Sequence, residues 1–149
     1  MRILLADDDD DDRILFEDAA SDTGYPFRFN SVKDGNELLR TLRLQELLPH
    51  LVFLDLNMPI KNGMDCLLEI RSEELLKEIN VIIYSTSANK REIEESYKNG
   101  ANLYIQKPVN YSDLKSTLVK VFSMDWTNYR SKPPKEWFAW LQSMGKHDY

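Results

Sequence analysis

The chain has 149 residues, 42% of them hydrophobic and 30% charged, with a net charge of −6. That is one soluble domain's worth of sequence, able to fold on its own core without metal or disulfide, and the lone Cys66 excludes an intrachain disulfide. Six consecutive aspartates at positions 7–12 equal the whole acidic excess, so the rest of the chain is neutral and no basic patch points to nucleic acid.

The first apolar run, Ile3-Leu4-Leu5-Ala6, meets the aspartates after four residues. It is too short for a signal peptide or a membrane span, and a cytoplasmic protein is expected. It suits a strand buried on both faces, as do the runs at 51–54, 81–84 and 103–105. Phe27-Arg28-Phe29 alternates instead, which suits an edge strand.

Helical periodicity fills the gaps. Ile14, Leu15 and Ala19 are expected on one face of a helix near 11–22. Leu38, Leu39 and Leu42 follow Asp34-Gly35, and Met64, Leu67 and Leu68 follow Gly63, with Leu75 and Ile79 as a possible continuation. Ile93 and Tyr97 precede the stop signal Asn99-Gly100, and Leu114, Leu118, Val121 and Phe122 follow a cap at Ser112 or Asp113. Five strand–helix units predict an α/β fold with a parallel sheet, helices on both faces and ligands at the carboxyl ends of the strands. Residues 1–124 are expected to form this domain. Residues 125–149, which hold all three tryptophans, form an extension with a short helix after Pro133-Pro134, docked on the domain or on a partner chain.

The residues just past each strand carry the chemistry. They are Asp7 and Asp8, then Asp55, then Ser85 or Thr86, then Lys107 before Pro108. Three converging carboxylates repel by roughly 4 kcal/mol per close pair at an effective dielectric of about 20. One lysine cannot neutralise them, and an oxygen-only site suits Mg²⁺. A carboxylate beside Mg²⁺, an ammonium and a hydroxyl is a phosphoryl acceptor. Asp9 to Asp12 read as a solvated helix start. A calcium-loop reading fails because position 12 is Asp rather than Gly and position 18 is Asp rather than Glu. Cys66 reads as packing, His50 precedes the third strand at the far end of the sheet, and His147 is terminal with no evident partner.

With Asp7-Asp8, the loop Asp55-Leu56-Asn57-Met58-Pro59-Ile60-Lys61-Asn62-Gly63, Ser85, Gly100-Ala101, Tyr104 and Lys107-Pro108, the chain resembles the receiver domains of two-component response regulators over residues 2–124. Among these it is most similar to the single-domain regulators paired with phytochrome-type histidine kinases, although Asp9-Asp10 stand where that subgroup often has Asn-Pro. The resemblance implies a flavodoxin-like doubly wound sheet of order 2-1-3-4-5 and phosphoryl transfer from a partner kinase's phosphohistidine to Asp55. It implies Mg²⁺ held by Asp8, Asp55 and the Asn57 carbonyl, with Asp7 acting through water, and a cis Lys107–Pro108 bond. It also implies a switch in which Ser85 turns to the phosphoryl group and Tyr104 swings inward, relayed by protein–protein contact. The expected partners are a sensor histidine kinase or phosphotransfer protein, with a homodimer open and no nucleic acid or membrane. No enzymatic turnover is expected beyond gain and loss of the chain's own phosphate. The alternative, an aspartate-nucleophile phosphatase or phosphotransferase acting on small substrates, needs a second acid two residues after the nucleophile. That position holds Asn57, which cannot protonate a leaving group. A binding-only pseudo-receiver would lack an Asp, the Lys or the hydroxyl, and none is missing.

Overall fold

The structure is a computed structural model that describes residues 1–127 and 133–142. His147 lies outside the described residues. The chain alternates strand and helix: β1 (Arg2–Ala6), α1 (Asp10–Asp22), β2 (Arg28–Val32), α2 (Gly35–Leu44), β3 (Leu51–Leu54), α3 (Gly63–Ser72), β4 (Asn80–Ser85), α4 (Lys90–Lys98), β5 (Leu103–Gln106) and α5 (Tyr111–Ser123). A single 3₁₀ turn (Lys135–Trp137) and a two-residue strand β6 (Ala139–Trp140) follow. All pairings are parallel, in the order β2-β1-β3-β4-β5-β6. The expected five-strand order is present, with β2 at one edge. The extension adds a sixth strand at the other.

Each helix starts on an Asp or Asn whose side chain accepts a backbone N–H of the first turn: Asp9, Asp34, Asn62, Asn89 and Asn110. These side chains satisfy N–H groups that have no partner within the helix. For α5 the cap is Asn110, not Ser112 or Asp113. Its amide oxygen accepts from Asp113 N at 2.8 Å. Helix α3 stops at Ser72, so the pattern does not run on: Ile79 is buried, but Leu75 is 85% exposed.

The central strands are buried on both faces, which is why they read as unbroken apolar runs. One face packs Leu4, Val52, Val81 and Ile83 against α2, α3 and the inner side of α4. The other packs Ile3, Leu5, Phe53 and Ile82 against α1 and α5. Helix α1 is rotated from the expected phase. Phe16, Ala19 and Ala20 are buried, while Ile14 and Leu15 are 59% and 46% exposed. Phe16 is the reason: its ring fits among Phe29, Phe53 and Tyr84, with centroids 4.8–5.8 Å away, and a buried aromatic cluster outweighs two aliphatic side chains left in water.

The described part of the extension docks on its own sheet. Trp126 is buried and donates its indole N–H to the Val121 carbonyl at 2.8 Å. Phe138 is 1% exposed and packs on Tyr97 and Tyr104. Cys66 is a buried free thiol, which burial pushes up to about 12, so it is inert packing at neutral pH.

Candidate functional site

The carboxyl ends of β1, β3, β4 and β5 deliver the acidic residues, a hydroxyl and the lysine to one rim. Asp7 directly follows β1. It is fully buried and tied to the β2 end through its N–H to the Val32 carbonyl at 3.1 Å. Asp8 is exposed beside it. Asp55 directly follows β3. Its N–H donates to the Ala6 carbonyl at 2.9 Å, which ties Asp55 to the first strand. Its Oδ1 accepts from Asn57 N at 3.1 Å.

The loop after Asp55 is closed by Gly63. A Cβ there would lie 2.2 Å from the Asp55 carbonyl oxygen, so only glycine allows α3 to start so near Asp55. Between them Ile60 holds φ = 71° with 75% of its surface exposed. A left-handed β-branched residue is strained by about 1–2 kcal/mol. Ile60→Asn is therefore expected to raise stability by about 1 kcal/mol in chemical denaturation. A loss of stability would show that the loop is not strained there.

Asp7, Asp8 and Asp55 each offer a carboxylate oxygen, all within 4.8 Å of one another. Burial pushes the Asp7 carboxyl up to about 6, against the lowering pull of Lys107 and the Asp9 N–H. The Lys107 ammonium lies 2.7 Å from the buried Asp7 Oδ2 and forms an ion pair with it, while Asp7 Oδ1 accepts the Asp9 N–H at 3.0 Å. Three acidic oxygens in reach of one point, with a single lysine beside them, fit a hard divalent cation.

Lys107 has 8% side-chain exposure. It donates to Asp12 Oδ2 at 2.8 Å and Asp55 Oδ2 at 3.1 Å, and its ammonium sits 5.4 Å from the Tyr84 ring centroid. Burial pulls its pKa down, but its contacts with Asp12 and Asp7 and the charges of Asp55 and Asp7 outweigh this and hold it above the ordinary lysine range. The Lys107–Pro108 bond is trans, since the described residues contain no cis peptide. Trans is the lower-energy form, and the long lysine side chain reaches the carboxylates from it.

Ser85 closes β4 and is fully buried, whereas Thr86 is exposed. Ser85 Oγ accepts from Ser87 N at 3.2 Å. Tyr104, on β5, is already inside: it is 0% exposed and its hydroxyl donates to the Ser87 carbonyl at 2.8 Å. Phe138 from the extension packs on its ring, and the inward position expected of Tyr104 is the one the structure shows. Two further residues belong to this rim, Tyr84 and Asp12. The aspartate run places Asp12 in a solvated helix start; the structure keeps it in the first turn of α1 with its side chain 34% exposed, and adds the contact of its carboxylate with Lys107. The observed phase of α1 is the signal that finds it, since Asp12 stands four residues before the buried Phe16.

The profile of the response regulator receiver domain matches residues 3–119. Among curated relatives, the probable methanogenesis regulatory protein FilR2 of Methanothrix harundinacea is 33% identical over 147 residues, spanning 96% of this chain and 87% of its own. The response regulator Rcp1 of Synechocystis is 32% identical over 117 residues, covering 75% and 80%. Among solved structures, the phosphorylated cyanobacterial phytochrome response regulator RcpA superposes with a TM-score of 0.75 at 35% identity over 80% of this chain and 89% of that one. The Mn²⁺-bound form of Rcp1 gives 0.75 at 30% identity over 83% and 92%.

Proposed function

Because the chain belongs to the response regulator receiver domain family, a family of phosphoacceptor signalling domains, we propose that Asp55 accepts a phosphoryl group from the phosphohistidine of a sensor kinase or phosphotransfer protein. The observation that carries this is the contact between Lys107 Nζ and Asp55 Oδ2 at 3.1 Å, inside a rim of carboxylates suited to a divalent cation. An Asp55 oxygen attacks phosphorus. The O–P bond forms as the donor's N–P bond breaks, and the imidazole nitrogen keeps the bonding pair. Lys107 follows the charge onto the equatorial oxygens. Asp7, Asp8 and Asp55 would hold Mg²⁺, with the Asn57 carbonyl as the further ligand the resemblance implies, and the ion would offset the same charge.

The signal then runs through Ser87. If the Ser85 hydroxyl turns to the phosphoryl group, it releases Ser87 N, while the Ser87 carbonyl holds Tyr104 and its Oγ donates to Glu92 Oε1 on α4 at 2.8 Å. Output is a change of the α4–β5 face read by a protein partner. Turnover of outside substrates is not part of this function, since Asn57 supplies no acid for a leaving group. Among the described residues no helix is long and apolar enough to cross a membrane.

Incubation with Mg²⁺ and acetyl phosphate is expected to add one phosphoryl mass to the wild type and none to Asp55→Asn, read by intact-mass spectrometry. An equal increment on both would move the acceptor elsewhere.

A further inference from the structure

The four aspartates beyond the acidic pair differ in what they do. Asp9 caps α1 by accepting Asp12 N at 2.9 Å, Asp10 pairs with Arg13, and Asp11 is exposed. Asp12 alone is turned inward. It stands four residues before Phe16 and seven before Ala19, on the buried face of α1, because side chains at these spacings stack on one side of a helix. That phase brings Asp12 Oδ2 to 2.8 Å from Lys107 Nζ, closer than Asp55 at 3.1 Å.

In the proposed reaction two of the three carboxylates around Lys107 change partners. Asp55 turns an oxygen to phosphorus, and Asp7 belongs to the cation's donor set. The Asp12 contact is used by neither. A lysine ammonium on a four-carbon stem has several rotamers to lose, so a fixed acceptor that outlasts the exchange keeps it over the acceptor. We propose that Asp12 is a positioning residue for phosphoryl uptake, its carboxylate holding the Lys107 ammonium at the rim while Asp7 and Asp55 change partners. This rests on Asp55 being the acceptor.

The test measures phosphorylation of the full chain by acetyl phosphate across Mg²⁺ concentrations, for wild type, Asp12→Asn, Asp12→Glu, Asp11→Asn and Asp55→Asn. Asp12→Asn is expected to lower the maximal rate at saturating Mg²⁺ and donor by about tenfold, as a small misplacement of a catalytic group does. Its Mg²⁺ half-saturation is expected to move no further than that of Asp11→Asn, which removes the same charge without touching Lys107. Asp12→Glu, which keeps the carboxylate, is expected to recover most of the rate. Equal maximal rates for Asp12→Asn and Asp11→Asn, a faster Asp12→Asn, or no recovery with Asp12→Glu would overturn the assignment. Those outcomes leave the acceptor reading intact if Asp55→Asn stays unmodified, whereas phosphate on Asp55→Asn removes the acceptor reading itself.

Discussion

Metal-free wild-type protein is expected to lose up to about 3 kcal/mol of stability relative to Asp7→Asn as pH rises from 4 to 7. The cause is a carboxyl shielded from bulk solvent. Burial raises the Asp7 pKa from 3.8 to about 6, and every tenfold gain in proton affinity corresponds to about 1.36 kcal/mol. A carboxyl whose folded pKa is raised binds its proton more tightly when folded. Between pH 4 and 6 the unfolded chain has released that proton and the folded one has not, so unfolding becomes easier as pH rises, and the effect levels off above 6. Asparagine does not titrate, so the difference between the two unfolding free energies, measured by denaturant titration at each pH, reports Asp7 together with the Lys107 and Asp55 groups coupled to it. A difference that stays flat from pH 4 to 7 would mean that the ion pair with Lys107 already keeps Asp7 charged at low pH. At pH 7.5, added Mg²⁺ is expected to stabilise the wild type more than Asp7→Asn, by the amount the lost carboxylate contributed to binding.

The same burial explains what is legible in the sequence. Strands covered on both faces must be apolar throughout, so four-residue runs such as Leu51–Leu54 are visible as strands. The rim residues are visible because they directly follow those strands: Asp7 after Ala6, Asp55 after Leu54, Ser85 at the end of β4, and Lys107 after Gln106. The phase of α1 is not legible. Ile14 and Leu15 are as apolar as Phe16, and periodicity over one short helix does not say which set wins. That is decided by the aromatic neighbours Phe29, Phe53 and Tyr84, which come from three different strands. Asp12 is hidden for the same reason, since its inward aim follows from the phase. Strand β6 is beyond reach on other grounds. Two residues carry no period, and Gln142 completes the attachment through side-chain and backbone bonds to Gln106, an element 36 residues away. The inward Tyr104 follows from that docking, because its cover is Phe138 from the extension.

Phe138→Ala is expected to destabilise the protein by about 3–5 kcal/mol, the usual cost of emptying a buried phenylalanine site, and Phe138→Leu by less than about 1.5 kcal/mol. The ring is 1% exposed and meets Tyr97 edge-on at 5.1 Å and Tyr104 at 6.5 Å. It belongs to the same apolar cluster as Val81, Ile83, Leu67 and Ile70, so its loss opens the core of that face rather than a surface patch. Its carbonyl also accepts the Tyr104 N–H at 3.0 Å, and Ala139 and Trp140 pair with Tyr104 and Ile105. Without this strand β5 becomes an edge, with unpaired backbone groups and an uncovered Tyr104. Denaturant unfolding measures the cost, and hydrogen exchange at Tyr104 shows where it falls. A global loss leaves Tyr104 N–H opening together with the rest of β5. If Phe138→Ala costs under about 1 kcal/mol while Tyr104 N–H alone exchanges quickly, the extension peels away by itself, and Phe138 covers Tyr104 without supporting the core.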